Sequence, residues 1–340
     1  MSGDLLVHLS EYGFYCPAGD FYLDPWRPVR KAVVTHAHAD HLAQGCQAYL
    51  LASPGKALAR ARLGASARIQ AAAYGEPVSI GGVRVSFHPA GHILGSAQVR
   101  LEYRDQVWVL SGDYKVEPDP TCEPFEPVRC HTFITEATFA LPVYRWPLQE
   151  QVFEEINTWW RANQRAGKAS LLLAYSLGKA QRVLAGLDAS IGPVYTHGAV
   201  ETFNRLYREA GVRLPPTEQA IYAGRVDWSQ ALVVAPPSAR GSPWVRRFGA
   251  QSSGFASGWM RIRGMRRQRS IDRGFVLSDH VDWPALNQAI AATGAERVWA
   301  THGYVPILVR WLRSQGIEAH GVSTRYAAGE ELADPVGEEE

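Results

Sequence analysis

An α/β fold built in two parts is what this sequence predicts, on three observations. Short apolar runs, many of them alternating with polar residues, fill the chain up to about Pro147. From there to an arginine-rich stretch, strand-length and helix-length segments alternate. A last strand–helix–strand–helix succession then closes the chain. The 340 residues, 46% hydrophobic and 20% charged, are ordinary for a globular chain and sufficient for a sizeable core.

Residues 5–9 alternate weakly, and 21–23 form a short run that stops at Asp24-Pro25. Residues 32–35 are apolar and β-branched, as in a buried strand, and open directly into His36-Ala37-His38-Ala39-Asp40-His41. Residues 54–63 read as a helix with proline in its first turn. Val83, Val85 and Phe87 alternate and stop at Pro89-Ala90-Gly91-His92. Val99, Leu101 and Tyr103 alternate again, and 107–110 end at Ser111-Gly112-Asp113. Three strands therefore end in loops that hold His or Asp. A helix runs through Val152, Ile156, Trp159 and Trp160. Strands at 170–175, 194–196 and 232–235 then alternate with helices at 178–187 and 200–211, the pattern of a parallel sheet. Residues 275–277 form a strand ending at Ser278-Asp279-His280, a helix starts at Pro284, and 298–300 end at Thr301-His302-Gly303 before a helix from Pro306. An acidic tail, 329–340, follows.

Every apolar run is far short of the ~20 residues of a membrane helix, so no membrane association is expected. Met1-Ser2-Gly3-Asp4 lacks the basic-then-apolar pattern of a signal peptide. Cys16, Cys46, Cys122 and Cys130 are scattered and form no CxxC pair, which reads as reduced thiols in a cytoplasmic protein. Charge is distributed unevenly. Nine arginines (240, 246, 247, 261, 263, 266, 267, 269 and 273) share one short segment with one acid, Asp272. That segment carries 9 − 1 = +8 while the whole chain carries +2, leaving −6 elsewhere. Such a stretch fits a phosphate-rich partner; a solvated loop is the plainer alternative.

His36, His38, Asp40 and His41 lie within six residues, and imidazole and carboxylate are the ligands of zinc, manganese or iron at hydrolytic sites. Two ligand sets in one loop suit a pair of cations ~3.5–4 Å apart. The pattern His36-x-His38-x-Asp40-His41 resembles the signature of the metallo-β-lactamase superfamily, and later elements follow in the same order. The resemblance implies an αββα sandwich, with His36, His38 and His92 on one cation, Asp40, His41 and His302 on the other, and Asp113 bridging. Asp24 stands where that family has a strand-end acid orienting the loop, although Asp-Pro is also an ordinary turn.

Three features resemble the β-CASP nuclease branch of this superfamily. Thr135-Glu136-Ala137-Thr138 is similar to its acidic motif. Ser278-Asp279-His280-Val281-Asp282 is similar to the motif whose His protonates the leaving oxygen. The α/β segment 145–274 has the position of its compact cap, leaving 1–144 and 275–328 as the metallo-β-lactamase domain. The resemblance implies a hydrolase with two divalent ions, zinc first and manganese second, with Asp40, Asp113, Glu136 and His280 as catalytic residues. A structural His280 and a surface Glu136 are the plainer alternatives. Ser252, Ser253, Gly254 and Ser257 sit among the arginines, where hydroxyls and amides at glycine-rich turns can cradle phosphate; Arg261 and Arg263 join them as expected substrate contacts. Ser176 and Lys179 precede a helix whose N-terminus can meet a phosphate, and Ser176 serves equally as a plain cap. Trp244, Phe248, Phe255 and Trp259 suit base stacking or core packing.

Within that branch the chain is most similar to the bacterial ligase-associated DNA exonucleases, relatives of the Artemis and Apollo repair enzymes. The likeness rests on Glu11-Tyr12-Gly13-Phe14-Tyr15-Cys16, the compact cap and Gly254-Phe255-Ala256-Ser257-Gly258-Trp259. It implies DNA ends or single strands as substrate, a DNA ligase or helicase as partner, and a cytoplasmic, nucleoid-associated bacterial location. Eukaryotic DNA-repair members usually lack a His at the last motif. His302 therefore resembles the RNA-processing members, and RNA stands second to DNA. A non-catalytic nucleic-acid-binding subunit is the third reading.

Overall fold

The computed structural model describes residues 5–262, 264 and 271–323. The acidic tail expected at 329–340 lies outside them. The chain divides into two compact units. One runs to Pro142 and resumes at His280, and the other takes Val143–Asp279.

The first unit opens with a sheet of six short strands in sequence order: β1 (His8–Ser10), β2 (Gly13–Cys16), β3 (Phe21–Leu23), β4 (Lys31–Val33), β5 (Ala48–Ala52) and β6 (Ile69–Ala72). The strands from β3 onward run parallel. Between β5 and β6 a 3-10 turn at Ser53–Gly55, started by Pro54, leads into helix α1 (Lys56–Leu63). A second sheet follows, with β7 (Val78–Ile80), β8 (Val83–Pro89), β9 (Ala97–Tyr103), β10 (Gln106–Leu110) and β11 (Thr132–Ala137).

The period-2 pattern of these strands decides which face is buried against what. Val83, Val85, Phe87, Val99, Leu101, Trp108 and Leu110 join Phe14, Phe21, Leu23, Val33 and Leu50 in a core shared by the two sheets. The intervening residues Val107, Val109 and Phe133 face a different core, on the far side of the second sheet.

Among the described residues the second unit is a wholly parallel sheet with helices between its strands. Helix α2 (Gln149–Arg165) leads into β12 (Ala169–Leu173), α3 (Lys179–Gly186), β13 (Val194–Thr196), α4 (Gly198–Glu209), β14 (Glu218–Gln219), β15 (Leu232–Ala235), β16 (Gln251–Ala256) and β17 (Arg273–Phe275). The spatial order is β14-β13-β15-β12-β16-β17. The central strands are buried on both faces, which explains their unbroken apolar runs: Leu171–Leu172–Leu173 in β12 and Leu232–Val233–Val234 in β15 are each at most 2% exposed.

After His280 the chain returns to the first unit as α5 (Trp283–Thr293), β18 (Arg297–Gly303), α6 (Val305–Ser314) and β19 (Glu318–Gly321). Strand β18 pairs parallel with β11, and β19 with β18. Leu286, Ala289 and Ile290 of α5 and Leu308, Val309 and Leu312 of α6 cover Val109, Phe133, Val298 and Ala300. The first unit is thus layered as sheet, sheet and helices. Among the described residues no helix is long and apolar enough to cross a membrane. Cys16, Cys46 and Cys130 are buried thiols.

Candidate metal centre

Strand direction brings the predicted residues to one edge of the first unit. Strand β9 is antiparallel to both β8 and β10, so β8 and β10 run the same way; β11 and β18 continue parallel to β10. The C-terminal ends of β8, β10, β11 and β18 therefore share one edge, where ligands commonly sit in α/β sheets. Those ends carry His92, Asp113, Glu136 and His302. The fifth contributor comes from β4. Thr35, just past it, accepts the amide of Ala97 at the start of β9, which joins the two sheets at this edge (2.9 Å). The loops are tied to each other as well. The Lys115 amide donates to Ala90, Val281 to Tyr114, and Tyr304 to Ala137.

Asp113 is the common member of three donor groups. In the first, His36 Nε2 and His92 Nε2 stand 3.0 and 3.1 Å from His38 Nδ1, and 3.6 and 3.8 Å from Asp113 Oδ2. In the second, His41 Nε2 lies 3.5 Å from Asp40 Oδ2 and 3.4 Å from Asp113 Oδ2. In the third, His280 Nδ1 faces both Glu136 oxygens at 3.1 and 3.0 Å, and the other end of Glu136 is fixed because Oε1 accepts the Tyr114 amide at 2.9 Å. The His280 ring also packs against His92, with centroids 4.7 Å apart. His302 is outside these groups. Its ring stacks on His41 at 5.6 Å, and it lines a cavity with Asp40, His41, Asp113 and Glu136.

Asp24 supports the loop from behind. Its Oδ1 accepts the Thr35 amide at 2.8 Å, and its Oδ2 accepts the Thr35 hydroxyl at 2.7 Å and faces His41 Nδ1 at 2.8 Å. Asp24 and His302 both hold a left-handed backbone, with φ of 39° and 55°. Such strain in non-glycine residues concentrates at functional sites.

The electrostatics sort these groups by charge. Burial, reinforced by the neighbouring His41 and His38, holds the His36 imidazole well below its ordinary pKa, so it is a neutral donor. Burial also lowers His302. His41 goes the other way. Burial opposes its charge, but Asp113, Asp40 and Asp24 together drive its pKa well up. Burial likewise opposes the Asp113 charge, and His41, His280 and His36 outweigh it, so Asp113 is held well below the usual carboxylate range. A neutral imidazole such as that of His36 beside an ionised carboxylate is the donor chemistry of a divalent cation site. A tetrahedral ion with bonds of about 2.0–2.1 Å separates its ligand atoms by roughly 3.3 Å, close to the spacing of the first group. The donor set fits a metal.

The expected substrate contacts lie in the second unit. Ser176 and Lys179 are buried at the β12–α3 connection. The Gly178 amide at the helix start donates to Gln181 Oε1 (2.8 Å), and Lys179 Nζ lies 3.1 Å from Asp279 Oδ2. Ser252, Ser253 and Gly254 occupy strand β16 rather than a glycine-rich turn. Gly254 serves close packing there, because a Cβ on it would stand 2.8 Å from the Phe275 ring and 3.2 Å from Leu172. The Ser253 amide and hydroxyl bond Asp272 at 2.7 and 3.1 Å. Ser257 Oγ accepts the Trp259 amide and caps a 3-10 turn. Arg261 is exposed and donates to the Val143 carbonyl, while Arg263 is outside the described residues. Phe248, Phe255 and Trp259 are buried core residues. Thr35, Tyr114 and the cavity residue Trp26 gave no signal in the sequence, because each reads as an ordinary strand or turn residue there, and Phe14, which also lines the cavity, entered only as part of the opening motif.

No family model matches the chain. Over 92% of its length it is 33% identical to a protein of Opitutus terrae named "Probable DNA ligase", of which it spans 30%. Over 35% of its length it is 30% identical to the transcription termination factor FttA of Methanosarcina mazei, and over 36% it is 26% identical to endoribonuclease YSH1 of Saccharomyces cerevisiae. It spans 20% and 16% of those two relatives. These likenesses support the metallo-β-lactamase superfamily. A crystal structure of a protein of unknown function from Enterococcus faecalis has a similar fold, with a TM-score of 0.53 and 10% identity over 79% of this chain and 74% of that one.

Proposed function

We propose that this chain is a metal-dependent nuclease that hydrolyses phosphodiester bonds in nucleic acid. The observation that carries this reading is Asp113, a buried carboxylate shared by two sets of metal donors and by the Glu136–His280 pair. His36, His38 and His92 would hold one divalent cation, zinc or manganese, and Asp40, His41 and His302 a second, with Asp113 between. Bound there, the cations lower the pKa of water and neutralise the non-bridging phosphate oxygens.

The chain's own residues supply the rest. Glu136 faces His280 Nδ1 and keeps the ring in one orientation, which leaves Nε2 as the atom that carries a proton to the substrate. Water adds to phosphorus and gives up a proton to solvent, the P–O bond to the leaving nucleoside breaks, that oxygen takes the His280 proton, and solvent then restores the proton to His280. Asp24 and Thr35 hold the His41 imidazole in place.

DNA is the substrate we favour, cut from its ends during repair in a bacterial cytoplasm, with a ligase as natural partner. The likeness to the "Probable DNA ligase" over nearly the whole chain supports this choice. RNA is the second reading, supported by the likeness to an endoribonuclease. An assay with end-labelled DNA and RNA strands of one sequence, under zinc and then manganese, tests both. Wild-type protein is expected to shorten DNA faster than RNA. Asp113→Ala should abolish cleavage, and His280→Ala should slow it by ~10²–10⁴-fold, the usual worth of a general acid. Intact strands of both kinds under every metal, or full activity in either variant, would overturn the reading.

A further inference from the structure

We propose that Trp26 is a stacking platform for an unpaired nucleobase beside the cut phosphate, which deepens the nuclease reading and rests on it. The cavity that holds the metal donors is walled by polar residues, among them Asp40, Asp113, Glu136 and Thr301, and by the apolar Phe14, Leu110 and Trp26. Phe14 and Leu110 are 4% and 5% exposed and belong to the core between the two sheets. Trp26 is partly exposed, and among the described residues it joins no hydrophobic core. Tryptophan is normally placed by the area it buries. This one is placed by hydrogen bonds.

Its Nε1–H donates to the Glu11 carbonyl at 2.8 Å, and its amide donates to the Tyr12 carbonyl at 3.1 Å. Both acceptors lie in the turn between β1 and β2. Gly13 lets that turn close on the segment, since a Cβ there would stand 3.1 Å from Pro25 Cα. Two residues before Trp26, Asp24 accepts the Thr35 amide and faces His41, so the indole is tied to the backbone that braces the metal loop. The hydrogen bond takes only the edge of the ring. Among the described residues no aromatic ring or cation pairs with its faces. A ring fixed by its edge in this way loses little freedom when a flat partner settles on it. A base hangs one sugar away from its phosphate, so a base next to the phosphate at Asp113 can reach another wall of the same cavity. Bases inside a duplex are already stacked on their neighbours, so the platform selects single strands and frayed ends. Every base has a π-face, so it selects no sequence.

Abasic substitution tests this. Single strands carry either thymidines or abasic residues at the last two positions of both ends, so the first cut is flanked alike whichever end is attacked. Wild type should cut the abasic strand with a kcat/KM roughly 5–150-fold lower, the worth of one stacked base. Trp26→Leu, which keeps apolar bulk without a flat face, should lose as much on the thymidine strand and nothing further on the abasic one. Trp26→Phe should recover most of the thymidine rate and the sensitivity to abasic ends. A second readout needs no catalysis. In metal-free protein, a strand ending in 2-aminopurine should lose fluorescence on wild type and Trp26→Phe and keep it on Trp26→Leu. Chelator-competition titration should give Trp26→Leu the zinc affinity of wild type. Equal slowing of Trp26→Leu on both strands, a weakened zinc affinity, or the same fluorescence with wild type and Trp26→Leu overturns the proposal. If no strand is cut under any metal, the nuclease reading fails, while the fluorescence still decides whether Trp26 stacks on a base.

Discussion

Thr35 contributes no donor to the cation groups, yet two of its atoms hold Asp24, and the same Asp24 oxygen that takes its hydroxyl also takes His41. Thr35→Val keeps the shape and the amide bond but removes the hydroxyl. Outer partners of this kind are worth roughly 10–100-fold in metal affinity. Chelator-competition titration is expected to show a loss of that size in Thr35→Val and its recovery in Thr35→Ser; unchanged affinity would remove Thr35 from the site. Gly112 is a second test. Its φ is 57°, and a Cβ there would stand 2.6 Å from Thr35 Cβ. Gly112→Ala should cost about 1–3 kcal/mol, read as a lower Tm, since both the backbone and the neighbour resist it. The ligand-type residues were legible in the sequence because His and Asp clustered at strand ends have few other uses. Thr35 was not, because a Thr closing a β-branched run is also what an ordinary strand looks like.

At the scale of elements, alternation was informative where a sheet has two different cores. Val83, Val85 and Phe87 sit where their period placed them, and the same period puts Trp108 and Val109 on opposite faces. It failed where burial is continuous or the strand is short. Ala48–Ala52 has four buried residues in a row, and Val78–Ile80 is only three long. Ser252-Ser253-Gly254 misled for a different reason: serine and glycine are turn formers, and only the nearby Phe275 and Leu172 explain a glycine inside β16. Helix α4 yields a pH prediction. His197 caps it, its ring nitrogen accepting the Ala199 amide at 3.2 Å, a role that requires a neutral imidazole. Burial, then Arg247, lower its pKa in the folded chain. Above the unfolded value of about 6.5 neither state is protonated at this residue. As pH falls below that value the unfolded chain takes up a proton first, so stability is lost. His197→Asn retains a capping side chain without the titration. Its Tm should fall less than that of wild type between about pH 7 and pH 5; parallel curves would show that His197 plays no part.

For the whole molecule, the consequence of spreading donors over the ends of β4, β8, β10 and β18 is that a bound cation ties together elements far apart in the chain. Binding to the folded state alone adds RT ln(1 + [L]/Kd), about 2.7 kcal/mol at a hundredfold excess over Kd. That stabilisation belongs to the unit holding the donors. The sheet β12–β17 contains none of them, and its apolar core of Leu172, Val183, Leu184, Leu232 and Val234 is built without their help. Chelation should therefore act locally. Peptides covering 34–41, 90–96, 111–115 and 301–304 are expected to gain hydrogen exchange on treatment with a chelator, while β12 and β15 keep their protection. Added zinc should reverse the gain, and Asp113→Ala should show it already, with or without chelator. The stacked His302 provides the finest control. If it serves the second cation, its peptide must respond to zinc together with that of Asp40 and His41. A response in 34–41 and 90–96 that leaves 301–304 unmoved would remove His302 from the ligands, and with it the second cation as assigned.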